Sequence, residues 1–96
     1  MKRLDHLKMM LSKHKKVLQK KYHIKRLGLF GSYVRGEENQ QSDLDILVDF
    51  DQPIGLEFVS LAEELESLLN IRIDLVSTNA VKPRMMKSIE EELIYV

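Results

Sequence analysis

The chain has 96 residues with equal numbers of acidic and basic side chains, 44% apolar and 31% charged residues, and no cysteine. That is one small domain, too apolar for a disordered chain. The composition excludes disulfides, thiolate chemistry and Cys-based zinc sites, and no apolar run reaches the ~18–20 residues of a membrane span.

The zero net charge hides a split. Residues 1–36 hold eleven Lys and Arg against the single acid Asp5, a net +10, and residues 37–96 carry the compensating −10. A basic surface and an acidic surface are expected. The basic half suits a polyanion, an acidic partner or the phosphates of a nucleotide, and it suits equally a solvated helix face. No apolar segment of leader type follows Met1-Lys2-Arg3, so a cytoplasmic location is the expectation.

Leu4, Leu7, Leu11, His14 and Leu18 recur at steps of three and four. That period predicts a helix over residues 3–21, with Lys8, Lys13, Lys15, Lys16 and Lys20 on its other side. Lys25 to Phe30, closed by Gly31, reads as a strand. Ser32 is a good N-cap type and predicts a short helix there, followed by loop chemistry over Glu37–Gln41. Leu44 to Phe50 is a second strand, and the Pro and Gly within residues 51–55 make a turn. From Leu56 onward Phe58, Leu61, Ala62, Leu65, Leu68 and Leu69 give an amphipathic helix of 13–15 residues, with Asn70 near its C-cap. Ile71 to Val76 alternates as a third strand. Pro83 opens a last helix whose buried stripe is Met86, Ile89 and Leu93. The order is α-β-α-β-α-β-α, which predicts an α/β domain. A small mixed sheet carries helices mainly on one face and the acidic residues on the other.

The chemistry concentrates in Gly31-Ser32-Tyr33-Val34-Arg35-Gly36 and Ser42-Asp43-Leu44-Asp45. Gly31 at a strand end lets backbone approach a ligand closely, and Ser32 starts a helix whose free N–H groups suit an anion. Asp43 and Asp45, two apart on a strand, point to one side. Paired carboxylates repel unless a cation intervenes, and hard divalent ions such as Mg²⁺ take oxygen ligands together with substrate phosphates. The plainer reading of the pair is an exposed Asp-x-Asp. Asp74 stands among apolar residues in the third strand, where a carboxylate needs a partner or a metal. A neighbouring strand that brings it beside Asp43 and Asp45 makes a site for two ions ~3.5–4 Å apart, the arrangement of in-line phosphoryl or nucleotidyl displacement. A salt bridge to Arg72 is the plainer reading of Asp74.

Gly31-Ser32, Arg35-Gly36, Ser42-Asp43-Leu44-Asp45-Ile46-Leu47-Val48 and Asp74 together resemble the minimal nucleotidyltransferases of the DNA polymerase beta-like superfamily. The ten-residue spacer from Tyr33 to Ser42 fits that pattern, and the resemblance spans nearly the whole chain as a single minimal nucleotidyltransferase domain, 1–96. It implies the polymerase beta-like fold. It implies that Gly31 and Ser32 contact nucleotide phosphates and that Asp43 and Asp45 hold two Mg²⁺ ions. It also implies that Asp74 binds the catalytic ion and helps deprotonate the attacking hydroxyl. Arg35 is expected either to neutralise phosphate or to brace the acidic cluster. Ser42 is expected to hydrogen-bond locally beside its turn. Lys82, Arg84 and Lys87 are expected either to reach a triphosphate or to form a solvated face, and Tyr33 either to stack on a base or to pack. Asp49 and Asp51 are read as surface charge.

The implied reaction transfers NMP, with ATP as the expected donor, to an acceptor hydroxyl and releases pyrophosphate. Larger relatives add domains for the acceptor, so here the acceptor site comes from a second copy in a homo-oligomer, from a partner, or from the acceptor itself. The resemblance extends to the antitoxin half of toxin–antitoxin pairs, whose partner is a helical HEPN-domain toxin modified with AMP on a Tyr. Two other readings stand beside it. One is a binding module that neutralises its partner by contact. The other is transfer to nucleic acid or a small molecule, which the lack of interleaved aromatics in the Lys-rich helix disfavours.

Overall fold

The computed structural model describes residues 3–96. Met1 and Lys2, which open the stretch read above for a leader, lie outside the described residues. The elements in chain order are α1 (Arg3–Tyr22), β1 (Ile24–Phe30), α2 (Ser32–Arg35), β2 (Leu44–Phe50) and α3 (Glu57–Leu69). A 3₁₀ turn (Thr78–Ala80) separates β3 (Ile73–Ser77) from α4 (Pro83–Glu92), and β4 (Ile94–Tyr95) ends the chain.

The four strands form a mixed sheet in the order β3-β2-β1-β4. β1 is antiparallel to both β2 and β4, and β2 runs parallel to β3 through the α3 crossover. Strand pleating divides the residues between two faces. Leu27 pairs with Val48 and Leu29 with Ile46. These four, with Ile24 and Leu44, are buried against Leu7, Leu11 and Leu18 of α1 and Leu61, Leu65 and Leu69 of α3. The leucine spacing of both helices thus becomes the core, each buried side chain contributing roughly 1.5–3 kcal/mol. At the rim of the core, the hydroxyl of buried Tyr22 and the exposed Lys21 Nζ both reach Glu64 Oε1, at 2.6 and 2.9 Å, and tie α1 to α3.

The other face carries Gly28, Phe30, Asp45, Leu47, Asp49 and Asp74, by the same alternation. Only α4 stands on it among the helices described, with Ile89 buried there. The sheet therefore has its main helices on one face and the acids on the other, as expected. Asn70 ends α3 in the left-handed conformation, with φ 54° and its N–H donating to the Glu66 carbonyl, as its C-cap reading predicts.

Four expectations are corrected. The order gains β4, because a two-residue strand directly after a helix carries no period of its own. Leu93, read as the end of the last helical stripe, is the residue after α4, and its side chain lies against Gly28. The third strand begins at Ile73 rather than Ile71, since Arg72 still belongs to the turn from α3 and hands its carbonyl to the Leu44 N–H. Ser32 is the first residue of α2 and not its cap. Gly31 occupies the cap position with φ 85°, and no side chain caps the helix.

Candidate active site

The site is built at one end of the sheet, where β1 hands over to α2 and where β2 and β3 begin. Parallel pairing sets Asp45 directly opposite Asp74, and antiparallel pairing sets Asp45 opposite Phe30. The two carboxylates come from strands distant in sequence and meet because the register leaves no alternative. Burial, then the Asp74 charge and a hydrogen bond shared with that carboxyl, push the Asp45 pKa up to about 6. Asp43 adds to the rise through space.

Gly31 follows immediately. Its backbone lies so close that a β-carbon there would overlap Asp45 Oδ2. Its positive φ is a second reason for glycine. The Gly31 N–H donates to Glu92 Oε1 at 2.9 Å, and Arg35 Nη1 donates to both Glu92 oxygens at 3.1 and 2.9 Å. Arg35 Nε also donates to Glu37 Oε1 at 2.6 Å. Arg35 holds the Glu92 carboxyl below the usual carboxylate range. Arg35 thus braces the turn to the end of α4, and its partners are glutamates rather than the aspartate cluster.

A cavity of about 490 Å³ opens beside these groups. Gly31, Arg35, Asp45 and Asp74 line it from the sheet side, and Arg84, Met85, Ser88, Ile89 and Glu92 of α4 wall it opposite. A larger surface hollow of about 580 Å³ lies at the Glu38–Ser42 loop, away from Asp45 and Asp74. The smaller one is the site, because it holds the paired carboxylates.

The sequence-derived residues separate as follows. Gly31, Arg35, Asp45 and Asp74 share the cavity, while Ser32 and Asp43 are not among its lining residues. The Asp43 carboxylate is ion-paired with Arg72 Nε at 3.1 Å, and Arg72 also reaches the Gln41 carbonyl. Arg72 therefore pairs with Asp43 and not with Asp74. Asp74 is exposed on its face of the edge strand, which corrects the argument that burial forces a partner upon it; Asp45 carries the burial instead. Tyr33 is buried in the core and packs rather than stacks. Ser42 Oγ accepts the Asn39 N–H at 2.9 Å, the local turn role expected of it. Asp49, read as surface charge, is paired with Arg26 and accepts from Thr78 Oγ1. Of the three cations after β3, Arg84 alone lines the cavity. Glu92 and Ser88 escaped the sequence reading. Their signal was helical spacing from Arg84, at i+4 and i+8, which points to a common face but not to what that face meets.

The donor set fits a hard divalent cation at Asp45 and Asp74. Two carboxylates held together by register, one with its pKa raised by the other, are relieved by positive charge. Among the described residues no group of three His, Asp or Glu side chains is gathered as a metal site, and Asp43 is engaged by Arg72. To join Asp45 and Asp74 its carboxylate would have to leave an exposed ion pair, a cheap exchange.

Comparison with known proteins follows the same line. The profile of the nucleotidyltransferase domain family matches residues 11–96. A candidate protein adenylyltransferase of Methanocaldococcus jannaschii is 47% identical, with all of both chains covered. The protein adenylyltransferase MntA of Thermococcus cleftensis is 44% identical over 97% of this chain and 95% of its own. Among solved structures, a candidate minimal nucleotidyltransferase superposes with a TM-score of 0.76 at 34% identity, covering 92% of this chain and 93% of the other. An MNT antitoxin in complex with a tri-AMPylated HEPN toxin of Shewanella oneidensis gives a TM-score of 0.68 at 22% identity, covering 93% and 70%, a likeness of fold alone. With Gly31, Asp45 and Asp74 brought together at one end of the sheet and residues 11–96 matched by the family profile, the chain belongs to the nucleotidyltransferase domain family.

Proposed function

We propose that this chain is a Mg²⁺-dependent protein adenylyltransferase. It moves AMP from ATP to a tyrosyl hydroxyl of a partner HEPN-domain toxin and so acts as its antitoxin. The observation that carries this reading is the Asp45–Asp74 pair, set by strand register against the Gly31 backbone. The names of the relatives supply the adenylyl group, and the solved complex of related fold supplies the class of partner.

Asp43, Asp45 and Asp74 would hold the metal. Mg²⁺, when bound, supplies the charge that offsets the triphosphate and lowers the acceptor's pKa. The chain's own residues orient and exchange protons. Gly31 and Ser32 form the turn that receives the nucleotide phosphates. Asp74, exposed at the sheet edge, is open to an incoming hydroxyl and accepts its proton. A bond forms between the acceptor oxygen and the α-phosphorus, the α–β phosphoanhydride bond breaks, and pyrophosphate leaves. Catalysis here is mostly positioning and charge stabilisation. No helix among the described residues is long and apolar enough to cross a membrane.

The test uses α-labelled ATP, Mg²⁺, this chain and the HEPN protein of its own host. Label on a tyrosine of that protein, absent with Asp43→Asn/Asp45→Asn, is the expected result. Label on RNA overturns the choice of acceptor. Full neutralisation by the unlabelling double variant shows that contact, not transfer, carries the effect.

A further inference from the structure

Resting on the nucleotidyl-transfer reading, the charges lining the cavity can be assigned one by one. The cavity holds two cations, Arg35 and Arg84. Arg35 is already spent. It binds Glu37 through Nε and both oxygens of Glu92 through Nη1, so two carboxylates offset one guanidinium. Glu92 in turn accepts the Gly31 N–H. Arg72, the other arginine near the acids, is paired with Asp43.

Arg84 is different. None of the ion pairs found among the described residues includes it. It lies in the first turn of α4, and Ser88 and Glu92 follow it at i+4 and i+8, all three lining the cavity. Glu92 marks the end of this row at Gly31, and Arg84 stands two turns away, about 12 Å along the helix. A polyanion entering beside Asp45 and Asp74 therefore meets one uncommitted cation, and that cation is a planar fork suited to phosphate oxygens.

We propose that Arg84 is the substrate-binding residue that takes the β- and γ-phosphates, the part that leaves as pyrophosphate. Arg35 is a positioning residue that holds the Gly31 turn through Glu92. Ser88, on the same row, presents a hydroxyl between them.

The experiment titrates the full chain with ATP, AMP and pyrophosphate in Mg²⁺ by calorimetry, for wild type, Arg84→Ala, Arg84→Lys, Arg35→Ala and Lys87→Ala. Arg84→Ala is expected to weaken ATP and pyrophosphate at least about tenfold and AMP less than about twofold, the loss expected of a charged hydrogen bond. Arg84→Lys restores part of the loss, and Lys87→Ala, exposed and outside the cavity, changes nothing. Arg35→Ala weakens ATP and AMP alike and lowers the melting temperature. Unchanged ATP affinity in Arg84→Ala, or a selective loss of ATP in Arg35→Ala, overturns the assignment. A wild-type chain that binds none of the three ligands overturns the nucleotidyl-transfer reading itself, whereas wild-type binding with an unaffected Arg84→Ala overturns only the role of Arg84.

Discussion

Gly31 and Asp45 are in such close approach that no side chain fits between them. The turn after β1 and the first half of β2 are thereby locked together, and the backbone proposed to receive a phosphate is fixed against the carboxylate proposed to hold a metal.

Gly31→Ala should show this directly. The β-carbon must displace Asp45, and φ 85° is strained for alanine. A stability loss of ~1 kcal/mol or more and a fall in transfer rate of at least ~100-fold are expected, the latter from misplacement of about 1 Å. Gly36 also has a positive φ, 73°, but open space around it. Gly36→Ala should therefore lose ~1 kcal/mol and keep its rate. Equal rates for the two variants would contradict the Gly31–Asp45 lock.

The contribution of Asp45 to the stability of the metal-free chain should fall with rising pH in the weakly acidic range. The folded chain holds the Asp45 proton more tightly than the unfolded one does. Stability from this group is therefore complete below its unfolded value of 3.8 and is lost as pH rises through about 6. Asp45→Asn should gain about 1 kcal/mol at pH 8 after allowance for screening at a partly exposed site, and nothing at pH 3. Urea midpoints across this range measure it, and Mg²⁺ should stabilise the wild type alone.

Arg72 is ion-paired with Asp43, so under the proposed reading it competes with the metal for that carboxylate. Arg72→Gln should tighten Mg²⁺ two- to fivefold, about the worth of an exposed ion pair, and change stability by less than ~0.5 kcal/mol. Mn²⁺ titration followed by electron paramagnetic resonance reads the first quantity and thermal melting the second. Weaker metal binding in the variant would mean that Arg72 orients Asp43 instead of withholding it.

The Arg35–Glu92 bridge joins α2 to the last turn of α4. Glu92→Ala leaves the Gly31 N–H and Arg35 Nη1 without that acceptor, while Arg35 Nε keeps Glu37, and should lower the melting temperature. In a double-mutant cycle with Arg35→Ala, losses smaller than the sum of the two single variants are expected, because each single variant already breaks the same contact. Additive losses would show that the two residues act separately.

The two long helices and β2 were legible because each buries an apolar stripe or run: Leu7, Leu11 and Leu18 in α1, Leu61, Leu65 and Leu69 in α3, and Ile46, Leu47 and Val48 in β2. Gly31, Asp43, Asp45 and Asp74 were marked as candidates by their spacing together with the family resemblance, and the fold brings Gly31, Asp45 and Asp74 to one cavity while pairing Asp43 with Arg72. Periodicity is a local property, and it was blind where structure rests on long-range contact. β4 exists only because β1 offers it an edge. Glu92 matters only because α4 ends beside Gly31, 61 residues earlier in the chain.

The sequence by itself determined which faces are apolar, where the turns fall and which acids are candidates, since those follow from neighbouring residues. The tertiary structure decided which charges meet. It set Asp45 against Asp74 through parallel register, committed Arg35 to Glu92 and Arg72 to Asp43, and left Arg84 in the cavity unpaired among the described residues. Ion pairing depends on distances across the fold, which no local pattern encodes.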